Sequence, residues 1–334
     1  MMNIKTKPAF WILAVMAGLL CNTRSAECIG QTGHMAVAEM ATVNIDETGC
    51  PDLVTILNAF ENERDCGAVF PDWAWPSFYQ QYSRIAHTIE FQQTWADYVK
   101  TNFPPPYTIG EKREVSFLMG ITTHTYDDPP WHTSFLPQAK AHDNADEWLV
   151  EPGTDIFANW ELDKRSEVTY GYLPAETAVN VYCALGYPEV TESMLVKGML
   201  ILRAAYWAEK FAGYQGYLNL VNRMPWTDDN YVTYSPGGFE YGAEVSAQEM
   251  LNTWNYIQGN LDQLLPADVP IFMEKNILIE LGKKLIESGT IEIPMQRTPE
   301  GEYFFGEPQI MDIDAFRETV GASRRLAPSI SPIS

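Results

Sequence analysis

The sequence predicts a predominantly α-helical, single-domain protein, and three observations lead there. Seven segments of the 334 residues carry the apolar spacing of amphipathic or buried helices. Alternating strand patterns are few, and no internal repeat or low-complexity linker divides the chain. A hydrophobic fraction of 46% is enough to fill a core and excludes a disordered chain.

The elements follow in order. Residues 1–27 read as a secretory signal: Lys5 and Lys7 precede an apolar run from Phe10 to Cys21, too short to span a bilayer comfortably. Cleavage before Cys28 is favoured, with a cut after Ala26 or an uncleaved anchor as alternatives. Residues 28–322 then form the domain, and 323–334 a loose tail. Thr32–Ala41 and Leu53–Arg64 predict helices. Phe78–Phe103 reads as one long helix stopped by Pro104, Pro105 and Pro106. Glu111–His124 starts charged and turns apolar, as a buried helix does, and the Pro129-Pro130 pair predicts that it ends near Asp128. Glu192–Gly213, Ala243–Leu265 and Phe272–Gly289 are the later helices. Met194, Met199, Tyr206 and Trp207 read as core. Thr227–Tyr241 reads as a loop, and Trp226–Gly242 as a possible lid. A division near Tyr170 is the alternative organisation.

Charge and cysteines narrow the function. The formal net charge of −22 disfavours a polyanion-binding surface, so no stable nucleic-acid partner is expected. It still permits an anionic substrate held by metal ions. Without Cys21, four cysteines remain: Cys28, Cys50, Cys66 and Cys183. In a secreted chain an even number suggests disulfides with three possible pairings, of which Cys50–Cys66 is the most local. The absence of a C-x-x-C pair argues against a thiolate zinc cluster.

All five histidines lie within the first 142 residues. His124 and Asp128 form an H-x3-D pair in HTYDDPPWH, where a spacing of four puts both on one helical face. His132 follows; with the helix ending near Asp128 it need not share that face, which suits a ligand to a second ion. His142 and Asp146 repeat the H-x3-D spacing in AHDNAD. Asp72 lies upstream in FPDW, His87 in the long helix, and His34 near the proposed mature start. Imidazole and carboxylate are the donors of open catalytic zinc sites. Asp127 competes with Asp128 for the ligand role. Phe70, Trp73, Trp75, Tyr126 and Trp131 flank these positions, as an apolar lip for substrate or as core.

The strings CIGQTGHMAV, CGAVFPDWAWPSF, VSFLMGITTHTYDDPPWH and AHDNADEW resemble the zinc-dependent phospholipase C family. The resemblance is greatest to the N-terminal catalytic domain of glycosylphosphatidylinositol-specific phospholipase D, and is shared more distantly with trinuclear zinc nucleases. It implies an all-α fold around three zinc ions. Asp72, His87, His124 and Asp128 would hold the first; Asp128, His34 and the amine and carbonyl of Cys28 the second; His132, His142 and Asp146 the third. It further implies hydrolysis of a phospholipid or glycosylphosphatidylinositol phosphodiester at a membrane surface, with Asp72 as general base. The double proline departs from the family pattern. No propeller repeat is present, so a free-standing catalytic domain is expected. A zinc nuclease or phosphomonoesterase is the rival enzyme, and a secreted binding module with structural metals the rival non-enzyme. Neither the oligomeric state nor C-type against D-type cleavage is legible.

Overall fold

The computed structural model describes residues 30–48, 50–74, 79–145, 147–163, 171–209, 213–264 and 277–316. Helices dominate them, as the periodicity predicts. α1 (Gln31–Thr48), α2 (Pro51–Ala59) and α3 (Glu61–Val69) lead into a 3-10 turn over Phe70–Ala74. α4 (Gln80–Ala86) and α5 (Ile89–Asn102) precede the long α6 (Ile109–Pro130). A π-helical turn over Trp131–Phe135 joins α6 to α7 (Leu136–Asp143), followed by α8 (Glu147–Glu161). Then come β1 (Tyr172–Pro174), α9 (Ala175–Ala184), α10 (Glu192–Glu209), α11 (Gly213–Arg223), α12 (Pro225–Asn230), α13 (Phe239–Ile257) and α14 (Ile277–Glu287). Four short strands close the described chain: β2 (Ile291–Glu292), β3 (Met295–Arg297), β4 (Glu302–Phe305) and β5 (Gln309–Ile310). β4 lies between β1 and β3, antiparallel to both, and β2 pairs with β5.

Local chemistry sets the start of α6. The Thr108 hydroxyl accepts from the Glu111 amide, and the Glu111 carboxylate accepts from the Thr108 amide, a reciprocal cap. From Glu114 to Pro129 the helix is buried. It meets α3 at two glycines. A Cβ on Gly67 would overlap the Phe117 carbonyl, and one on Gly120 would overlap the Arg64 carbonyl and lie 2.5 Å from the Ala68 nitrogen. The two backbones therefore touch. On the other side α13 crosses α6 at Gly242, whose Cβ would lie 3.1 Å from that of Asp127.

Helix boundaries differ from the sequence reading in several places: α1 runs on to Thr48, and α13 spans Phe239–Ile257 in place of Ala243–Leu265. Leu53–Arg64 is two helices broken at Phe60, whose backbone leaves the helical conformation (φ −132°, ψ 46°) while its carbonyl accepts from both the Arg64 amide and the Ser116 hydroxyl. Phe78–Phe103 is broken at His87, because the Thr88 hydroxyl caps a new helix by accepting from the Phe91 amide. The helix carrying His124 does not end at Asp128. It runs through Pro129 and Pro130: the Trp131 amide bonds back to the Asp127 and Asp128 carbonyls, and the chain continues into the π turn, where the Leu136 amide bonds to the Trp131 carbonyl. Thr227–Tyr241 is also not simply a loop. Asp143 accepts from the amides of Trp226 and Thr227 at 2.9 and 2.8 Å, at the start of α12.

Cys50, Cys66 and Cys183 are free thiols, so the Cys50–Cys66 bridge does not form; Cys66 is buried and its sulfur accepts from the Tyr172 amide. Cys28, Trp75, Asp146, the proposed signal and the tail from residue 323 lie outside the described residues. Among the described residues no helix is long and apolar enough to cross a membrane.

Candidate metal centre

Three imidazoles and two carboxylates from different parts of the chain converge in the interior. The α3–α6 contact supplies the first constraint: with the backbones touching, the Ala68 carbonyl lies 2.7 Å from Nδ1 of His124 and takes its proton. The Nε2 of His124 is left buried without a hydrogen-bond partner. The break before α5 supplies the second. His87 sits at the end of α4, where Nδ1 donates to the Ser83 carbonyl at 2.8 Å and Nε2 lies 3.2 Å from Asp72 Oδ1. The 3-10 turn holds Asp72, with the Pro71 carbonyl fixed by the Ser83 hydroxyl at 2.6 Å. Asp72 Oδ1 is 4.0 Å from Nε2 of His124.

α1 brings in His34. Its ring stacks on that of His124 with centroids 3.9 Å apart, and the His87 ring meets His124 edge-on at 4.6 Å. Nδ1 of His34 lies 3.1 Å from both oxygens of Asp127, while Nε2 lies 4.0 Å from Asp128 Oδ1. Asp127 is thus the partner that orients His34, and Asp128 is the carboxylate facing the imidazole cluster. Within each of two buried sets, His34–His124–Asp128 and Asp72–His87–His124, the donor atoms lie within 4.8 Å of one another. His124 belongs to both.

The donor chemistry fits a divalent ion. Each of the three rings gives its Nδ1 to a carbonyl or carboxylate, which fixes the tautomer and leaves Nε2 facing the cluster. Burial, together with the His34 and His87 rings, holds His124 well below the ordinary imidazole range, so it is a neutral donor at pH 7. Burial would lower His34 as well, but the carboxylates of Asp127, Asp128 and Asp72 outweigh it and push the ring up to about 9. Burial alone would raise Asp128; the facing His132, His124 and His34 rings hold it down instead. A cation among these rings would take the place of the proton that His34 otherwise carries.

The remaining sequence candidates fall differently. Because α6 continues through the prolines, His132 does share a face with Asp128, its Nε2 3.1 Å from Asp128 Oδ1. His142 is exposed at the end of α7, stacked on Trp226 at 4.8 Å. The described residues therefore do not by themselves assemble the third set, whose Asp146 lies outside them. Phe70, Trp73 and Trp131 are 0% exposed and form core, not an apolar lip. Phe70 packs on Phe91, Trp95 and Phe117; Trp73 donates to the Tyr182 hydroxyl; Trp131 stacks on Phe135. The physical reason is local: the short elements that aim a ligand inward bury its neighbours too. Tyr126 is nearly buried, and burial pushes its hydroxyl up to about 12. The open groove of about 1010 Å³ runs elsewhere, between α1 and α13, past Met40, Val43, Tyr241, Glu244 and Leu251.

Two buried acids escaped the sequence reading. Asp155 on α8 accepts from the Gly33 amide, and Glu209 on α10 accepts from the Thr32 hydroxyl. Neither stands in a motif with His34; only the fold brings them to it.

Comparison with known proteins agrees with this geometry. The chain is a distant homologue of phosphatidylinositol-glycan-specific phospholipase D. It is 26% identical to the Dictyostelium discoideum protein over 248 residues, which cover 69% of this chain and 25% of that one. It is 25% identical to the Bos taurus protein over 69% of this chain and 29% of that one. For the Homo sapiens protein the figures are 24% identity, 78% and 33%. The chain thus spans a quarter to a third of the length of these curated relatives. No family model and no solved structure matches it.

Proposed function

We propose that this chain is a secreted zinc-dependent phosphodiesterase that hydrolyses a phosphodiester of a phospholipid or a glycosylphosphatidylinositol-type glycolipid at a membrane surface. The observation that carries the reading is the convergence of His34, His87 and His124 with Asp72 and Asp128 in two overlapping buried sets. The distant homology supports the reaction class. Asp72, His87 and His124 would hold one ion and His34 with Asp128 another, because Nδ1 of His124 is bonded to the Ala68 carbonyl and its Nε2 can serve a single ion. His132, His142 and Asp146 remain the residues proposed for a third, and Cys28 the further donor beside His34 and Asp128. Bound there, zinc would supply a Lewis acid for the phosphate oxygens and an acidified water.

The protein's own part is to hold the donors and move the proton. The backbone carbonyls of Ser83 and Ala68 keep His87 and His124 in the ligand tautomer. Asp72 stands between these two rings, its Oδ1 3.2 Å from one Nε2 and 4.0 Å from the other, as a carboxylate able to take the proton of an attacking water. The acidic chain, at a net charge of −22, favours zwitterionic or glycolipid substrates over nucleic acid.

The test is hydrolysis of phosphatidylcholine, a glycosylphosphatidylinositol-anchored protein and single-stranded nucleic acid side by side, with zinc measured by elemental analysis. Lipid or anchor hydrolysis lost on chelation supports the proposal. Cleavage of nucleic acid alone favours the nuclease reading, and bound zinc without any hydrolysis favours structural metals. Asp72→Asn should leave a folded protein whose turnover falls by about 100-fold or more. Near-normal turnover removes Asp72 from the role of base.

A further inference from the structure

His34 differs from its two neighbours in how it is held. Neutral carbonyls orient His87 and His124, whereas His34 is held by carboxylates at two points. At the ring, both oxygens of Asp127 lie 3.1 Å from Nδ1. At the backbone, Asp155 Oδ1 accepts from the amide of Gly33, the residue before His34, at 2.9 Å.

The backbone grip matters because His34 stands in the opening turn of α1. The first amides of a helix have no partner within it, and an anion placed against them is favoured by the helix dipole. Here the accepting carboxyl oxygen comes from α8, 122 residues further along the chain. The Asp155 side chain occupies the place that a Cβ on Gly30 would need, so the chain enters α1 directly across the carboxylate. The adjoining Thr32 donates to Glu209 at 3.0 Å and accepts from Asn159 at 3.3 Å, which ties the same turn to α10 and again to α8. Both Asp155 and Asp127 are buried, at 0% and 1% exposure. Neither belongs to the two sets of converging donors.

We infer that Asp127 and Asp155 are positioning residues for His34, and that together they control occupancy of the ion position at His34 and Asp128 without controlling that of the Asp72–His87–His124 position. The inference rests on the metal-site reading above. It goes beyond it by assigning two acids that ligate nothing to one ion position and not to the others. Asp127 sets the tautomer and the angle of the ring, so that Nε2 turns toward Asp128. Asp155 sets where the helix begins, and with it how far the ring reaches. His87 and His124 depend on neither.

The experiment uses the full purified chain loaded with zinc. Wild type, Asp127→Ala and Asp155→Ala are equilibrated against a graded series of chelator, and the zinc retained is counted by elemental analysis. The expected result is that one class of zinc in each variant binds about 10- to 100-fold more weakly, while the other is held as in wild type. Asp155→Asn should recover most of the loss, because its amide oxygen can still accept from Gly33; Asp127→Asn should recover part. These conservative variants also carry the test if an alanine variant fails to fold, as judged by circular dichroism. Retention identical to wild type in folded variants, or equal weakening of both classes, overturns the inference. A wild-type protein that binds no zinc overturns the functional reading itself, and the inference with it.

Discussion

Gly120→Ala offers a test in which sequence and structure predict opposite signs. From sequence alone the substitution should help, since alanine is favoured over glycine in a helix interior by about 1 kcal/mol. In the fold, the added Cβ would overlap the Arg64 carbonyl and stand 2.5 Å from the Ala68 nitrogen, both rigid backbone atoms of α3. No side chain can rotate away, so the helices must separate. Overpacking of this kind costs about 3 kcal/mol or more. The net loss is then about 2 kcal/mol or more, or a Tm lower by roughly 3 °C or more at this chain length. Gly110 is the control within the same helix: its Cβ would meet nothing closer than 4.0 Å. Gly110→Ala should therefore gain about 0.5–1 kcal/mol. Thermal unfolding followed by circular dichroism, in zinc-replete buffer, reads both. A Gly120→Ala protein as stable as wild type would refute the claim that backbone contact joins α3 to α6. The same separation should lengthen the Ala68–His124 hydrogen bond, so metal retention should fall along with Tm.

Two further outcomes follow from burial. Burial pushes the Glu114 carboxyl from 4.5 up to about 8, so the folded protein holds its proton more tightly than the unfolded chain does. The stability it contributes is whole below pH 4.5 and declines as pH rises toward 8. Glu114→Gln should flatten that part of the stability–pH curve, measured by denaturant titration, and an unchanged slope would contradict it. Among the thiols, Cys183 is exposed while burial pushes the Cys66 thiol up. Maleimide followed by mass spectrometry should modify Cys183 rapidly and Cys66 only after denaturation; fast modification of Cys66 in the native state would count against its burial.

The helical class and the central histidines were legible because both leave local marks. Apolar spacing betrays a helix, and H-x3-D at 124 and 128 needs only helical geometry to bring its two groups onto one face. The boundaries were harder because tertiary partners made them. At Phe60 the break sits where the carbonyl also accepts from Ser116, far along the chain. Thr88 is the exception, a capping residue visible in the sequence and masked by the strong period around it. The prolines misled for an instructive reason: a proline removes one donor, but the Trp131 amide just after the pair bonds back to Asp127 and Asp128, so the ladder resumes beyond them. Asp155 and Glu209 left no local mark at all, because their tie to α1 exists only once α8 and α10 have packed.

The antiparallel pairing of β1 with β4 has a consequence for how the molecule is made. Tyr172 sits in β1 and gives its hydroxyl proton to Glu302 in β4, 130 residues later. While the ribosome is still translating the intervening helices, β1 has no partner and Tyr172 no acceptor. Closure of that seam must wait until the polypeptide beyond Phe305 has emerged, so one flank of the early helices is completed among the last events of synthesis.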